Sequence, residues 1–245
     1  MALPKIDLPT YKLHLDSIGK EVTFRPFVVK EEKILMIALE SNDYDAAIDS
    51  IKQIIRNCVL DDIDVDALPM FELEHLFLHL RSRSMGELAV IKYICENVIE
   101  QSDPPKKCKG QMELNVDLLK TSVDQKKKID NNIKITDKVG IKLKYPTVEI
   151  SKILSQDINI DEVRTKILKE CAEYIYDEEQ VYKIEDMAEG EFETFIETQL
   201  NSEMYNKIQN FFYNMPQLVY ETDLVCKKCG TSHKIRLEGL MDFFE

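Results

Sequence analysis

Two cysteines three positions apart, Cys226 and Cys229, followed at once by Gly230, form the stretch of this chain that most demands a chemical explanation. A turn of this kind aims both thiolates at one point. Zn²⁺ needs that geometry, because it takes its ligands tetrahedrally at about 2.3 Å from sulfur. One pair supplies half a site, so the other half must come from elsewhere in the chain. Laid over the residues after Cys108 without a gap, those after Cys229 set Ile235 on Leu114, Leu237 on Val116 and Leu240 on Leu119. Each copy reads as a cysteine turn followed by an alternating strand, and two such knuckles facing each other would enclose one ion. The first copy has no close cysteine pair. The cysteine upstream of Cys108 within reach is Cys95, with twelve residues between them. A tight turn cannot span that interval, so Cys95 is expected to arrive from the end of a helix. The expected ligand set is Cys95, Cys108, Cys226 and Cys229 around a structural zinc. Two readings stand beside it: reduced thiols on a hairpin with no ion, and a variant set that includes His233. Alternation along residues 232–237 puts His233 on a strand, where an exposed polar role is commoner.

The elements that must carry these residues follow from periodicity. Residues 11–15 and 21–28 alternate in the strand period around Gly19 and read as a β-hairpin ended by Pro26. Residues 30–39 form a helix with Glu31 and Glu32 in the first turn, where the helix dipole favours acids. Ser41, Asn42 and Asp43 offer caps for a helix over 44–58, whose Ala47, Ile48, Ile51, Ile54, Ile55 and Cys58 share one face. Another helix runs over 68–80, residues 81–87 read as a turn, and 87–99 fit strand or helix equally. Pro104 and Pro105 mark a surface loop, and 120–128 is a polar stretch, helical or mobile. A second hairpin is expected over 129–135 and 139–145. Helical period then spans 148–175, through Ile150, Ile153, Leu154, Ile167, Leu168, Cys171 and Ile175. Helices over 192–200 and 202–213, the latter capped by Ser202, precede a strand over 218–225 that leads into the second knuckle. Phe243 and Phe244 near the end imply packing, within the subunit or across an interface.

Two tempting constellations fail on their spacing. His75 and His79 lie on one helical face, but a zinc protease carries a glutamate directly after the first histidine, and here Leu76 stands there, with Phe77 and Leu78 filling the rest of the interval. The run Asp61-Asp62-Ile63-Asp64-Val65-Asp66 lacks the glycine and glutamate of a calcium loop and reads as a solvated connection.

The composition narrows the function classes. The chain has 245 residues, 44% of them hydrophobic, enough for one large domain or two small ones. No run reaches the roughly 18 apolar residues that cross a bilayer, and the N-terminal residues lack the form of a signal peptide. Six cysteines without such a signal fit a reducing compartment. A net charge of −13 disfavours binding to nucleic acid, which needs a concentrated basic face. Only short clusters such as Lys106-Lys107, Lys126-Lys127-Lys128 and Lys227-Lys228 are basic, and the acids around Asp177–Glu191 read as a solvated face. No nucleophile elbow, phosphate-cradling glycine loop or histidine–carboxylate motif is present, so no catalytic residue and no small-molecule substrate is expected.

Several stretches together resemble a known family. They are residues 24–35 (FRPFVVKEEKIL), 78–87 (LHLRSRSMGE), 143–147 (LKYPT), Phe211-Phe212 through 215–218 (MPQL), the Cys226–Cys229 knuckle, and 237–244 (LEGLMDFF). In order and spread along the chain, they are similar to the baseplate hub and hub-assembly proteins of T4-like contractile-tailed phages. The resemblance implies a structural or assembly part of the tail baseplate hub, located in the virion tail baseplate and assembled in the host cytoplasm. It would work by contacts with other hub or tail proteins, Phe243 and Phe244 among the contact residues, with self-association left open. The family's cysteine knuckles look like a zinc ribbon; this sequence departs from that pattern at the first knuckle. The alternative is a zinc-ribbon nucleic-acid-binding or transcription adaptor. The fold class expected is α+β: helical bundles with β-hairpins and a zinc-ribbon-like element formed by two distant cysteine knuckles. The expected organisation is a β-hairpin and helical region over 1–100, a hairpin region with the first knuckle over 101–145, a helical region over 146–215 and the knuckle hairpin with its apolar tail over 216–245. One compact domain is the alternative.

Overall fold

The first hairpin forms as β1 (Tyr11–Leu15) and β2 (Lys20–Phe24), paired from Tyr11↔Phe24 to Leu15↔Lys20. The computed structural model describes residues 4, 6–40, 43–99, 106–124, 130–150 and 160–243. β2 ends at Phe24, before residue 28, because the backbone is claimed elsewhere: Arg25 N donates to Cys58 O at 3.0 Å, and Pro26 has no N–H to offer. Helix α1 (Val29–Glu40) starts where Glu31 accepts from Val28 N, and α2 (Tyr44–Cys58) where Asp43 accepts from Asp45 N and Ala46 N. Of the three expected caps, Ser41 and Asn42 lie outside the described residues. The apolar face of α2 is buried throughout, from Ala47 to Cys58.

Helix α3 (Met70–Met85) outlasts its apolar pattern. Residues 81–85, expected as a turn, stay helical because two serines bond back to the preceding turn. Ser82 Oγ donates to His79 O and Ser84 Oγ to Leu80 O. The turn comes only at Gly86, with φ 107°. Residues beyond it settle as strand β3 (Leu88–Ile94), with Ala89 and Ile91 inward and Leu88, Val90 and Ile94 outward.

The described residues divide into two units, each discontinuous in sequence. The first holds residues 1–65, 71–124 and 217–245. It contains the elements above, the short strands β4 (Val98–Ile99) and β5 (Lys106–Lys107), and strands β6 (Gln111–Asp117) and β7 (Ser122–Asp124). Strands β12 (Gln217–Val225) and β13 (Ser232–Glu238) complete it. Here β3 pairs with β6, β4 with β5, and β12 lies between β13 and β7. Residues 101–105 and 125–129, with their Pro104-Pro105 and Lys126-Lys127-Lys128, lie outside the described residues.

The second unit holds residues 66–70 and 125–216. Its sheet runs β11 (Val181–Lys183), β10 (Ala172–Tyr176), β9 (Gly140–Leu143), β8 (Asn132–Lys134), all neighbours antiparallel. Helices α4 (Ile160–Cys171), α5 (Glu191–Gln199) and α6 (Ser202–Tyr213) share one core with it. Leu168, Phe192, Ile196, Ile208 and Phe211 meet Ile141, Leu143 and Ile175 there, and Tyr145 stacks on Phe211 at 5.3 Å. Two local expectations change. Ile175 belongs to a strand, not a helix: the run Tyr174-Ile175-Tyr176 is aromatic and β-branched and pairs with β9. The cap of α6 is Asn201, which accepts from Met204 N, rather than Ser202. Ile153 and Leu154 lie outside the described residues. No helix among the described residues is long and apolar enough to cross a membrane.

The chain's last described turn is fixed by a buried acid. Gly239, at φ 69°, donates its N–H to Leu218 O, and Leu240 N donates to Glu74 Oε1 on α3 at 2.9 Å. Leu240 and Phe243 are 1% and 2% exposed. Phe243 is therefore already spent on the chain's own interior and is not a docking residue, which corrects the expectation above. Phe244 lies outside the described residues.

Burial pushes the Glu74 carboxyl up to about 7, opposed by the Leu240 N–H and reinforced by Asp242. The folded value lies above the unfolded one of 4.5, so its contribution is fully present below 4.5 and is lost as pH rises through about 7. Glu74→Gln keeps an acceptor for Leu240 and removes the charge. Urea unfolding at pH 8 should show this variant more stable than the parent by on the order of 3 kcal/mol, with the two converging near pH 4.5.

Candidate metal centre

Cys95 and Cys108 are joined by strand pairing. β3 and β6 run antiparallel from Leu88↔Asp117 to Ile94↔Gln111, so Cys95 leaves one strand beside the start of the other. Backbone bonds continue past the strand ends: Cys95 N to Gly110 O, Lys109 N to Cys95 O and Cys108 N to Asn97 O, all at 2.7–2.9 Å. The twelve intervening residues include a smaller hairpin, β4 paired with β5 through Val98↔Lys107 and Ile99↔Lys106. Cys95 therefore arrives from a strand end, not from a helix. A nested hairpin spans the interval that no tight turn could. Lys109 makes the corner with a left-handed φ of 52°.

The second knuckle is the turn between β12 and β13, which pair through Val225↔Ser232. Gly230 takes φ 75°, its N–H donates to Cys226 O, and Cys226 N donates to Thr231 O. Lys228 Nζ crosses to Cys108 O at 2.6 Å, binding one knuckle to the other.

The four sulfurs converge. Cys95 and Cys229 Sγ stand 3.7 Å apart, Cys108 and Cys226 Sγ 3.8 Å, and all four lie within 4.8 Å of one another. Ligand sulfurs about 2.3 Å from a tetrahedral ion are about 3.8 Å from each other. A disulfide would require about 2.05 Å, and all six cysteines are free. Three sulfurs also accept backbone N–H groups two residues on: Cys95 from Asn97, Cys108 from Gly110, Cys229 from Thr231. The apolar wall includes Met112, Tyr93, Ile99 and Leu224. Such a set suits one divalent ion held by thiolates alone, with no position left for water or substrate.

Without an ion the thiols are unequal. Burial pushes Cys95 up to about 12 and raises Cys108, whereas hydrogen bonds from the Thr231 hydroxyl and N–H bring Cys229 down to about 6. Cys58 and Cys171 stay apart from the cluster as fully buried core thiols. His75 and His79 do meet, Nε2 to Nε2 at 3.0 Å, but among the described residues no third histidine, cysteine or carboxylate joins them. Burial lowers both histidines, His79 to about 4, so the pair is a neutral hydrogen bond.

Sequence reasoning passed over Gly110, Asn97 and Lys228. A Cβ on Gly110 would lie 2.7 Å from Cys226 Sγ and 3.4 Å from Cys108 Sγ, so the backbone must be bare where the second knuckle's sulfur sits. The signal was present as Cys108-Lys109-Gly110, a cysteine followed two residues later by glycine.

The chain matches the model of a family described as T4 bacteriophage base plate protein over residues 8–245. It is 22% identical over 235 residues to the Baseplate hub assembly protein gp26 of Enterobacteria phage T4, covering 96% of this chain and 98% of that protein. No solved structure matches it.

Gly110→Ala should cost about 1–3 kcal/mol of folding stability, the usual range for an extra methyl in a filled site. Chemical denaturation of the purified variant against the parent checks this. A change below a few tenths of a kcal/mol would show that the two knuckles do not touch there.

Proposed function

The chain belongs to the family of T4 bacteriophage base plate proteins, and from that membership we propose that it is a structural or assembly component of the central hub of the tail baseplate of a T4-like phage. The observation that carries this reading is the span of the match: the T4 relative whose name includes hub assembly aligns over nearly its whole length. The work proposed is protein–protein contact with other baseplate proteins, in the virion tail baseplate, after assembly in the host cytoplasm.

Within that role the four cysteines, Cys95, Cys108, Cys226 and Cys229, hold a structural Zn²⁺. Support comes from the convergence of the four sulfurs within 4.8 Å, two of their separations matching a tetrahedral edge, and from the N–H groups that face them. Zinc thiolate binding in small folding units is worth about 10–16 kcal/mol. That exceeds the total stability of most domains, so the ion would decide whether the knuckles stay closed. The nucleic-acid adaptor has little to stand on at this site. The net charge of −13 weighs against it, and beside the knuckles Lys228 is tied to Cys108 O and Lys107 pairs with Glu96.

Elemental analysis of purified protein should find one zinc per chain. Cys108→Ser and Cys226→Ser should each lose it, and chelator should lower the melting temperature of the parent but not of the variants. In infected cells the chain should comigrate with tail intermediates in gradients. Sedimentation with DNA in a salt-dependent manner, apart from tail structures, would instead favour the adaptor.

A further inference from the structure

His233 stands beside the cluster without being one of its four sulfurs. Its Nε2 lies 3.2 Å from Cys95 Sγ. Register places it on β13 opposite Leu224, two residues before Cys226 on β12, so the ring turns toward the knuckle. A nitrogen and a sulfur bound to the same tetrahedral ion, at about 2.05 and 2.3 Å, would stand about 3.6 Å apart. The observed contact is shorter, and fits a hydrogen bond better than shared coordination. A metal-bound thiolate has lone pairs and no proton, so the hydrogen in that contact must sit on Nε2.

We infer that His233 is a positioning residue of the four-cysteine centre, donating Nε2–H to the Cys95 thiolate and holding it in the ligand sphere. This rests on the zinc reading above. Cys95 needs such a partner more than the others do. Cys226 and Cys229 share one tight turn, and Cys108 is clasped at its carbonyl by Lys228. Cys95 comes instead from the end of β3, held by backbone pairing and by the Asn97 N–H. Four thiolates on one Zn²⁺ also leave a formal charge of −2 in a chain that already carries −13. Outer donors spread that charge, and removing one typically weakens metal binding 10- to 100-fold. Asn97 Nδ2 faces Cys229 Sγ from 3.8 Å, a longer contact than that of His233.

The test compares the full-length parent with His233→Gln and His233→Asn by competitive zinc titration and by the spectrum of the Co²⁺-substituted protein. The glutamine amide can put an N–H where Nε2 sits; the asparagine amide falls short of the sulfur. All three proteins should show the Co²⁺ bands of four sulfur ligands. H233N should bind zinc about 10- to 100-fold more weakly, and H233Q should recover most of the loss. Equal affinity in H233N and the parent would overturn the inference. So would a parent spectrum of three sulfurs and one nitrogen that changes in both variants, since His233 would then be a ligand. A parent that takes up neither metal would remove the zinc reading itself, and this inference with it.

Discussion

The antiparallel pairing of β3 with β6 is the constraint on which the rest depends. It sets Cys95 and Cys108 side by side, and its register is fixed by burial on one face. Ala89 and Ile91 on β3 and Met112, Leu114 and Val116 on β6 all point inward. A slip of β3 by one residue against β6 would turn Ala89 and Ile91 outward and carry Cys95 away from the other sulfurs. The nested β4–β5 hairpin follows from the same pairing, because it begins and ends where β3 and β6 are already adjacent.

The second knuckle reaches the first through a long excursion of the chain. β7 ends at Asp124, which pairs with Gln217 at the start of β12, so residues 125–216 leave and return at neighbouring positions of one sheet. Cys108 and Cys226 are 118 positions apart, yet closing so long a loop costs only roughly 2 kcal/mol more than closing one a tenth as long. Four thiolates on the proposed zinc would contribute several-fold more.

Much of this was legible in local sequence, and the failures share a cause. Tyr11 to Phe24, the apolar face of α2 and the Cys226–Cys229 turn were readable because neighbours within a few residues determine them. The match between the segments after Cys108 and Cys229 also held: both are strands, with Leu114, Val116 and Leu237 buried. The origin of Cys95 was not readable, since it depends on β6 pairing with a segment whose own pattern fits helix or strand. Ile175 continues the helical period of Ile167, Leu168 and Cys171, and pairing with β9 overrides that period. Phe243 left packing within the subunit or across an interface open, because nothing nearby in sequence shows what it packs against. His233 was already a candidate in the sequence, but its place against Cys95, like those of Asn97 and the N–H groups around the sulfurs, becomes visible only once both knuckles are in place.

The proposed thiolate centre would give an acidic chain a rigid corner, which suits the proposed part in a larger assembly. The ion is the claim that can be read most directly. X-ray absorption at the zinc edge of the purified full-length protein should show a single shell of four sulfurs at about 2.3 Å. A shell of nitrogen or oxygen, or protein purified without any zinc, would contradict the account.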